Sequence, residues 1–249
     1  MSADSHFGQV IDLSAKRLVK GVPRPGGGGT GATPDQSDAV LRDVLAERPF
    51  DASVTGFVLA CLGESAAPVM WVSDRMSRRE NGRLYGPALR NFGFKGKVLR
   101  VEVSHPRDVL WAMEEGAGCA GLSAVVGEIH GAPEVLSFTA TKRLAVRAEA
   151  AQVPVWLIRS GDPGALSAAR ERWRISALPS ATHPYDSQAP GAPLWEVDLF
   201  RARGRSPGVW QARYDPRAAN RQDRLDLVPR SGDGPLAQDR GAAADVAGG

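Results

Sequence analysis

Leu122-Ser123-Ala124-Val125-Val126-Gly127-Glu128 is a short apolar run that breaks on a glycine and a carboxylate. A run of this length, bounded by turn residues, reads as a strand buried on both faces. Three similar runs surround it: Pro68-Val69-Met70-Trp71-Val72, stopping at Ser73-Asp74, then Leu99 to Val103, and Val153 to Ile158. Between them the apolar spacing changes to a helical period. Tyr85, Leu89 and Phe92 form one stripe, ended by Gly93; Leu110, Met113 and Ala117 form a second, opened by Ser104, Pro106 and Asp108. Leu136, Ala140, Leu144, Ala148 and Ala151 form a third. Strands separated by such helices need right-handed crossovers, so the pattern predicts an α/β fold with a mostly parallel sheet covered by helices.

Upstream of this core, Thr55 to Leu62 reads as a helix through Val58, Cys61 and Leu62. A further helix is expected from Ser37 to Glu47, with Val40, Leu41, Val44 and Leu45 on one side. Val10 to Leu18 reads as a short strand or a turn. Pro23, Pro25, Gly26 to Gly29, Gly31 and Pro34 mark a flexible linker rather than a phosphate loop, since no Lys-Ser or Lys-Thr closes it. Downstream, a short helix through Ala169 leads to Trp173-Arg174-Ile175. Leu194 to Phe200 and Val209 to Tyr214 then read as an antiparallel hairpin on one edge of the sheet. From Asp215 apolar residues thin out. The expected division is therefore a flexible segment 1–36, an α/β domain 37–215 and a disordered tail 216–249.

The 249 residues, 43% of them hydrophobic, suffice for one full core and not for two ordinary domains. No apolar run approaches the roughly 20 residues of a membrane helix, and Asp4, His6 and Asp12 do not fit a signal peptide. A soluble, cytoplasmic protein without membrane contact is expected. Cys61 and Cys119 form no CxxC and have no nearby His pair, so neither a disulfide framework nor a metal is expected. A formal charge of +3 permits an acidic partner such as DNA without demanding one.

The chain lacks GxxxxGK[ST], the loop with which nucleotide-handling sheets of this layout hold phosphates. Neither a cofactor nor a catalytic residue is assigned. Glu128 stands where such a sheet places a metal-ordering or water-activating carboxylate, yet a surface carboxylate at a strand end is the preferred reading. Asp74, Glu80 and Asn81 follow another strand and read as a solvated loop, with a place in a ligand crevice as the alternative. Glu114 and Glu115 read as a solvated helix face, and His6, His105, His130 and His183 lack metal spacing. Trp71, Trp156 and Trp195 read as core. Trp111 stands off its helix's apolar face beside charged neighbours, where contact with a partner is an option. Arg201, Arg203 and Arg205, with Arg170, Arg172 and Arg174, read as a solvated basic loop, a weak DNA contact being the alternative.

Several stretches in order resemble the ImuA family of inducible-mutagenesis proteins. They are Trp71-Val72, Glu80-Asn81-Gly82-Arg83-Leu84-Tyr85-Gly86-Pro87, Asp108 to Gly116, Ala124 to Glu128, Thr139 to Leu144, Arg172-Trp173-Arg174 and Trp195 to Leu199. The resemblance covers roughly Thr55 to Asp215. It implies a RecA-like core, here degenerate and without its Walker A loop, and a non-catalytic role in error-prone translesion synthesis under the SOS response. The implied partners are a Y-family-like polymerase homologue, an alternative, error-prone replicative-type polymerase and, as an option, the RecA recombinase. In a RecA-like alignment Leu122 to Val126 takes the Walker B position, and the nucleotide loop belongs before Thr55.

Overall fold

A computed structural model describes residues 34, 38–62, 66–92, 94, 96–160, 166–218 and 224–230. The expectations for Val10 to Leu18 and for the glycine linker lie outside them.

Val40, Leu41, Val44, Leu45 and Ala46 are all buried, and so are the two charged residues between them, Arg42 and Asp43. A stretch buried on every side is a central strand, and Leu41–Ala46 is β1, not part of the expected helix. The polar pair that suggested a helix's wet face is instead held in ion pairs. Arg42 Nε donates to Glu171 Oε2 at 2.8 Å, and its guanidinium lies 4.9 Å from the centre of the Trp156 ring. On the opposite face Asp43 Oδ2 lies 3.5 Å from both Arg159 and Arg172.

From β1 the chain enters helix α1, Ser53–Leu62, and then β2, Val69–Ser73. Asp74 caps a short helix, α2, Arg75–Asn81, where a loop was expected: RMSRREN carries no apolar stripe to announce it. Gly82, at φ 80°, ends it with a backbone conformation that favours glycine. The expected helix through Tyr85, Leu89 and Phe92 is only α3, Gly86–Leu89, followed by a 3-10 turn, Arg90–Phe92. Next come β3, Val98–Glu102, α4, Pro106–Ala117, and β4, Ala124–Ile129. Gly127 and Glu128 thus lie inside the fourth strand and not beyond it. Helix α5, Phe138–Ala151, leads to β5, Val155–Ser160. Residues 166–169 are not helical, and β6, Glu171–Leu178, follows. The antiparallel strands are β7, Leu194–Ala202, and β8, Gly208–Tyr214. A last strand, β9, Leu225–Pro229, lies in the stretch expected to be tail, so the hairpin is not the edge.

One nine-stranded sheet results, in the order β3-β2-β4-β5-β1-β6-β7-β8-β9. Strands β1 to β6 pair in parallel and β6 to β9 antiparallel, the mixed α/β sheet that the spacing of the runs predicts. One face carries α1 over Trp156, Trp173, Trp195 and Tyr214; Phe57 lies 5.8 Å from Trp173 and 6.3 Å from Trp195, ring to ring. The other carries α4 and α5 over Val72, Val125, Val155 and Leu157. Helix α4 sits close because glycines receive its methionine and face one from the sheet. A Cβ on Gly127 would stand 2.0 Å from Met113 Sδ, and one on Gly116 2.5 Å from Met70 Sδ.

Asp43→Ala removes the carboxylate and leaves Arg159 and Arg172 buried without it. A loss of about 3–5 kcal/mol in unfolding free energy is expected, read from the denaturant midpoint.

Candidate functional site

The carboxyl ends of β2, β3 and β4 meet at a cleft. Its walls are Trp71 and Ser73 of β2, Arg100 and Glu102 of β3, Glu128 of β4, and Arg78, Gly82, Arg83 and Leu84 from α2 and the loop after it. Two stretches far apart in sequence, Glu80 to Pro87 and Ala124 to Glu128, are thus brought to one place.

The rim is held by backbone and charge. Asp74 Oδ1 accepts the Ser77 N–H at 2.9 Å, and the Ser77 hydroxyl donates to Asp74 Oδ2 at 2.9 Å. Ser77 Oγ in turn accepts the His130 N–H at 3.2 Å, tying the end of β2 to the end of β4. Ser160 Oγ accepts from the Gly131 N–H at 3.0 Å, which extends the tie to β5. Arg78 donates to the Ser73 carbonyl at 2.6 Å and approaches Glu102 at 3.5 Å. Arg83 grips Glu102 with two bonds, 2.9 and 3.1 Å. These arginines hold the Glu102 carboxyl below its usual range, Arg83 contributing most.

Glu128 is the exception. Burial pushes its pKa up to about 7, opposed by the Trp71 indole N–H, which approaches without closing a full hydrogen bond, and reinforced by the Asp74 carboxylate. At neutral pH the group is thus divided between carboxylic acid and carboxylate. A cation-ordering role needs a standing negative charge, which this environment opposes. His130 is pushed down by burial, and its Nδ1 is buried without a hydrogen-bond partner among the described residues.

The turn between β1 and α1, where the resemblance places the nucleotide loop, is Glu47-Arg48-Pro49-Phe50-Asp51-Ala52. Asp51 fills the start of α1 with the protein's own anion: Oδ1 accepts from Ser53 N–H at 2.8 Å and Oδ2 from Ala177 N–H at 3.3 Å. A phosphate at that helix end would meet a carboxylate instead of free N–H groups.

The other expected site residues scatter. Glu80 and Asn81 lie on α2. Glu114 is ion-paired with Arg143 of α5, and Glu115 beside it is exposed. His105 caps α4, its Nδ1 accepting the Arg107 N–H at 3.2 Å, and His183 accepts the Tyr185 N–H at 3.3 Å. No group of three or more His, Cys, Asp or Glu able to hold a metal exists among the described residues. Trp111 is 63% exposed on α4. Arg201, near the end of β7, and Arg203, just beyond it, are exposed, whereas Arg205 folds back 3.5 Å from Glu171 and over the Trp173 ring at 5.0 Å. Burial lowers its pKa. Sequence reading did not single out Trp71, Arg83 and Arg100 as neighbours of Glu128, because only the strand order brings them together.

Against known proteins, the chain is 30% identical over 198 residues to Protein ImuA of Caulobacter vibrioides strain NA1000 / CB15N, spanning 75% of this chain and 76% of the relative. The chain belongs to the ImuA family. ImuA of the C. vibrioides strain ATCC 19089 / CIP 103742 / CB 15 matches to the same extent. No protein-family model matches. Among solved structures, SulA from Pseudomonas aeruginosa aligns with 48% of this chain and 98% of its own, at 20% identity and a TM-score of 0.37. No described helix of this ImuA-family chain is long and apolar enough to cross a membrane.

The raised Glu128 pKa means that the folded state keeps a proton that the unfolded chain releases above its ordinary value of 4.5. Stability associated with that proton is complete below pH about 4.5 and lost as pH rises through 7. Glu128→Gln should therefore stabilise by up to about 3 kcal/mol at alkaline pH, with the gain vanishing in acid. Melts across pH check this, and a pH-independent difference would contradict it.

Proposed function

We propose that this protein is a non-catalytic accessory factor of damage-induced, error-prone translesion synthesis. It acts by holding other proteins: a Y-family-like polymerase homologue, an error-prone replicative-type polymerase and, as a further candidate, a RecA filament. Membership of the ImuA family supports the process. Supporting the absence of catalysis is the β1–α1 turn, where Asp51 and Pro49 stand in place of a lysine-bearing phosphate loop. On a RecA-like reading β4 takes the Walker B position, and there Glu128 is held largely away from water. Such a domain keeps the sheet and uses its outer surface for recruitment.

Trp111 is the anchor best placed for this task. It is a large apolar ring held on a firmly packed helix, flanked by Arg107 and Glu115 one turn away on either side, and it contributes little to the core while exposed. The runner-up, a divergent ATPase relying on Glu128, rests on that residue's position alone.

Two measurements test the reading. Purified protein should show no ATP turnover above background, in wild type and Glu128→Gln alike; turnover abolished by that substitution would establish the ATPase instead. Trp111→Ala should change stability by less than about 0.5 kcal/mol. It should also weaken capture of the polymerase homologue about tenfold or more, the loss of a hot-spot residue. Unchanged capture would remove Trp111 from the contact.

A further inference from the structure

Among the described residues, the antiparallel half of the sheet is covered on one face only. On the face opposite α1 the outward positions of β8 and β9, among them Val209, Gln211, Arg213, Asp226 and Val228, are exposed. Where this open face meets β6 it becomes strongly basic, and the cause is an irregularity in the ladder. Arg172 pairs with Arg201 but Trp173 pairs with Leu199, so Phe200 is an extra residue in β7. The bulge turns Phe200 and Arg201 to the same side. Trp173 and Leu199 continue to face the core, both fully buried.

Three arginines follow one another at alternate positions of this chain segment, Arg170, Arg172 and Arg174, and so share the open face. Arg201 lies opposite Arg172, and Arg203, whose N–H donates to the Arg170 carbonyl at 2.9 Å, lies opposite Arg170. The Phe200 ring fills the space between two guanidinium groups, 5.0 Å from that of Arg172 and 4.6 Å from that of Arg174. Against these five cations the face offers Asp198, bonded to Arg174 at 3.0 Å, Glu196, ion-paired with Arg230, and Asp43, which is buried and shared with Arg159. Arg170, Arg201 and Arg203 are exposed and have no acidic partner among the described residues.

We propose that this face binds single-stranded DNA, with Arg170, Arg201 and Arg203 contacting phosphates and a base lying on the guanidinium plane of Arg174, which Phe200 keeps flat against the sheet. The chemistry selects this occupant. The surplus of positive charge calls for a polyanion, and alternate residues of a strand repeat at roughly 6.6 Å, a spacing an extended backbone can follow. Delocalised planar cations braced by an aromatic ring add a stacking surface, which bases use and an acidic peptide does not. A duplex hides its base faces. Arg205 takes no part, being turned inward onto Glu171 and Trp173. The inference stands apart from the recruitment role of Trp111, which lies on α4.

The test is fluorescence anisotropy of the full chain with a labelled oligothymidylate of about 20 nucleotides, longer than the ~4–16 that one comparable site covers. Binding in the range of about 1–100 µM near physiological salt is expected, weakening linearly in log–log form as salt rises. The double variant Arg201→Ala/Arg203→Ala should weaken it at least tenfold. It should also reduce the salt slope by about 1.4, two contacts at ~0.7 each. Phe200→Leu should weaken binding with the salt slope unchanged, and Trp111→Ala should leave both as in wild type. Circular dichroism melts confirm that each variant is folded. No binding at low salt would overturn the proposal. So would equal or tighter binding of a duplex or a polyglutamate peptide, or a double variant that binds like wild type.

Discussion

Two ion clusters back to back on β1 hold the structure together. Arg42 reaches through one face of the sheet to Glu171, and Asp43 reaches through the other to Arg159 and Arg172. Adjacent residues of one strand thus bind the strands on both sides, β5 and β6. This is the junction between the parallel half, which carries the cleft, and the antiparallel half, which carries the open basic face. Removing ions from water is costly, and burial alone raises the Asp43 pKa despite two arginines. What the clusters supply is register. A one-residue slip of β1 would carry Arg42 to the Asp43 side, where arginines already stand.

The disposition of charge also distinguishes the two candidate surfaces. At the carboxyl edge of the parallel strands, where sheets of this kind hold ligands, Arg83 and Arg78 are engaged by Glu102 and the N-terminus of α1 by Asp51, while Arg100 is exposed. On the antiparallel face three arginines are left exposed.

The central strands were legible in the sequence because burial on both faces leaves a continuous apolar run, as in Val125 and Val126. Helices α4 and α5 were legible from their periodic stripes. β1 was not, since a doubly buried strand containing Arg42 and Asp43 imitates an amphipathic helix unless the counter-charges more than a hundred residues away are known. α2 and β9 escaped because neither has a wholly buried face: Ser77 is the only buried residue of α2, and β9 alternates around Leu225 and Leu227 in a polar stretch. At the cleft, Glu128 was identifiable from its position after an apolar run. Its altered acidity was not, because that depends on how deeply the folded sheet buries it and on the Asp74 carboxylate brought near it. Phe200 gave no signal at all, since a bulge is a relation between two strands and leaves no mark on either alone.

The position of β1 in the middle of the sheet also governs how the polypeptide is made. Its carboxylate and guanidinium meet their buried counter-ions 116 and 129 residues further along, while the exposed Asp38 pairs with Arg42 from nearby in sequence. During synthesis β1 emerges from the ribosome long before β5 and β6 exist, so its apolar residues and both charges must wait in solvent. Such high contact order slows folding, and the exposed interval invites chaperone capture.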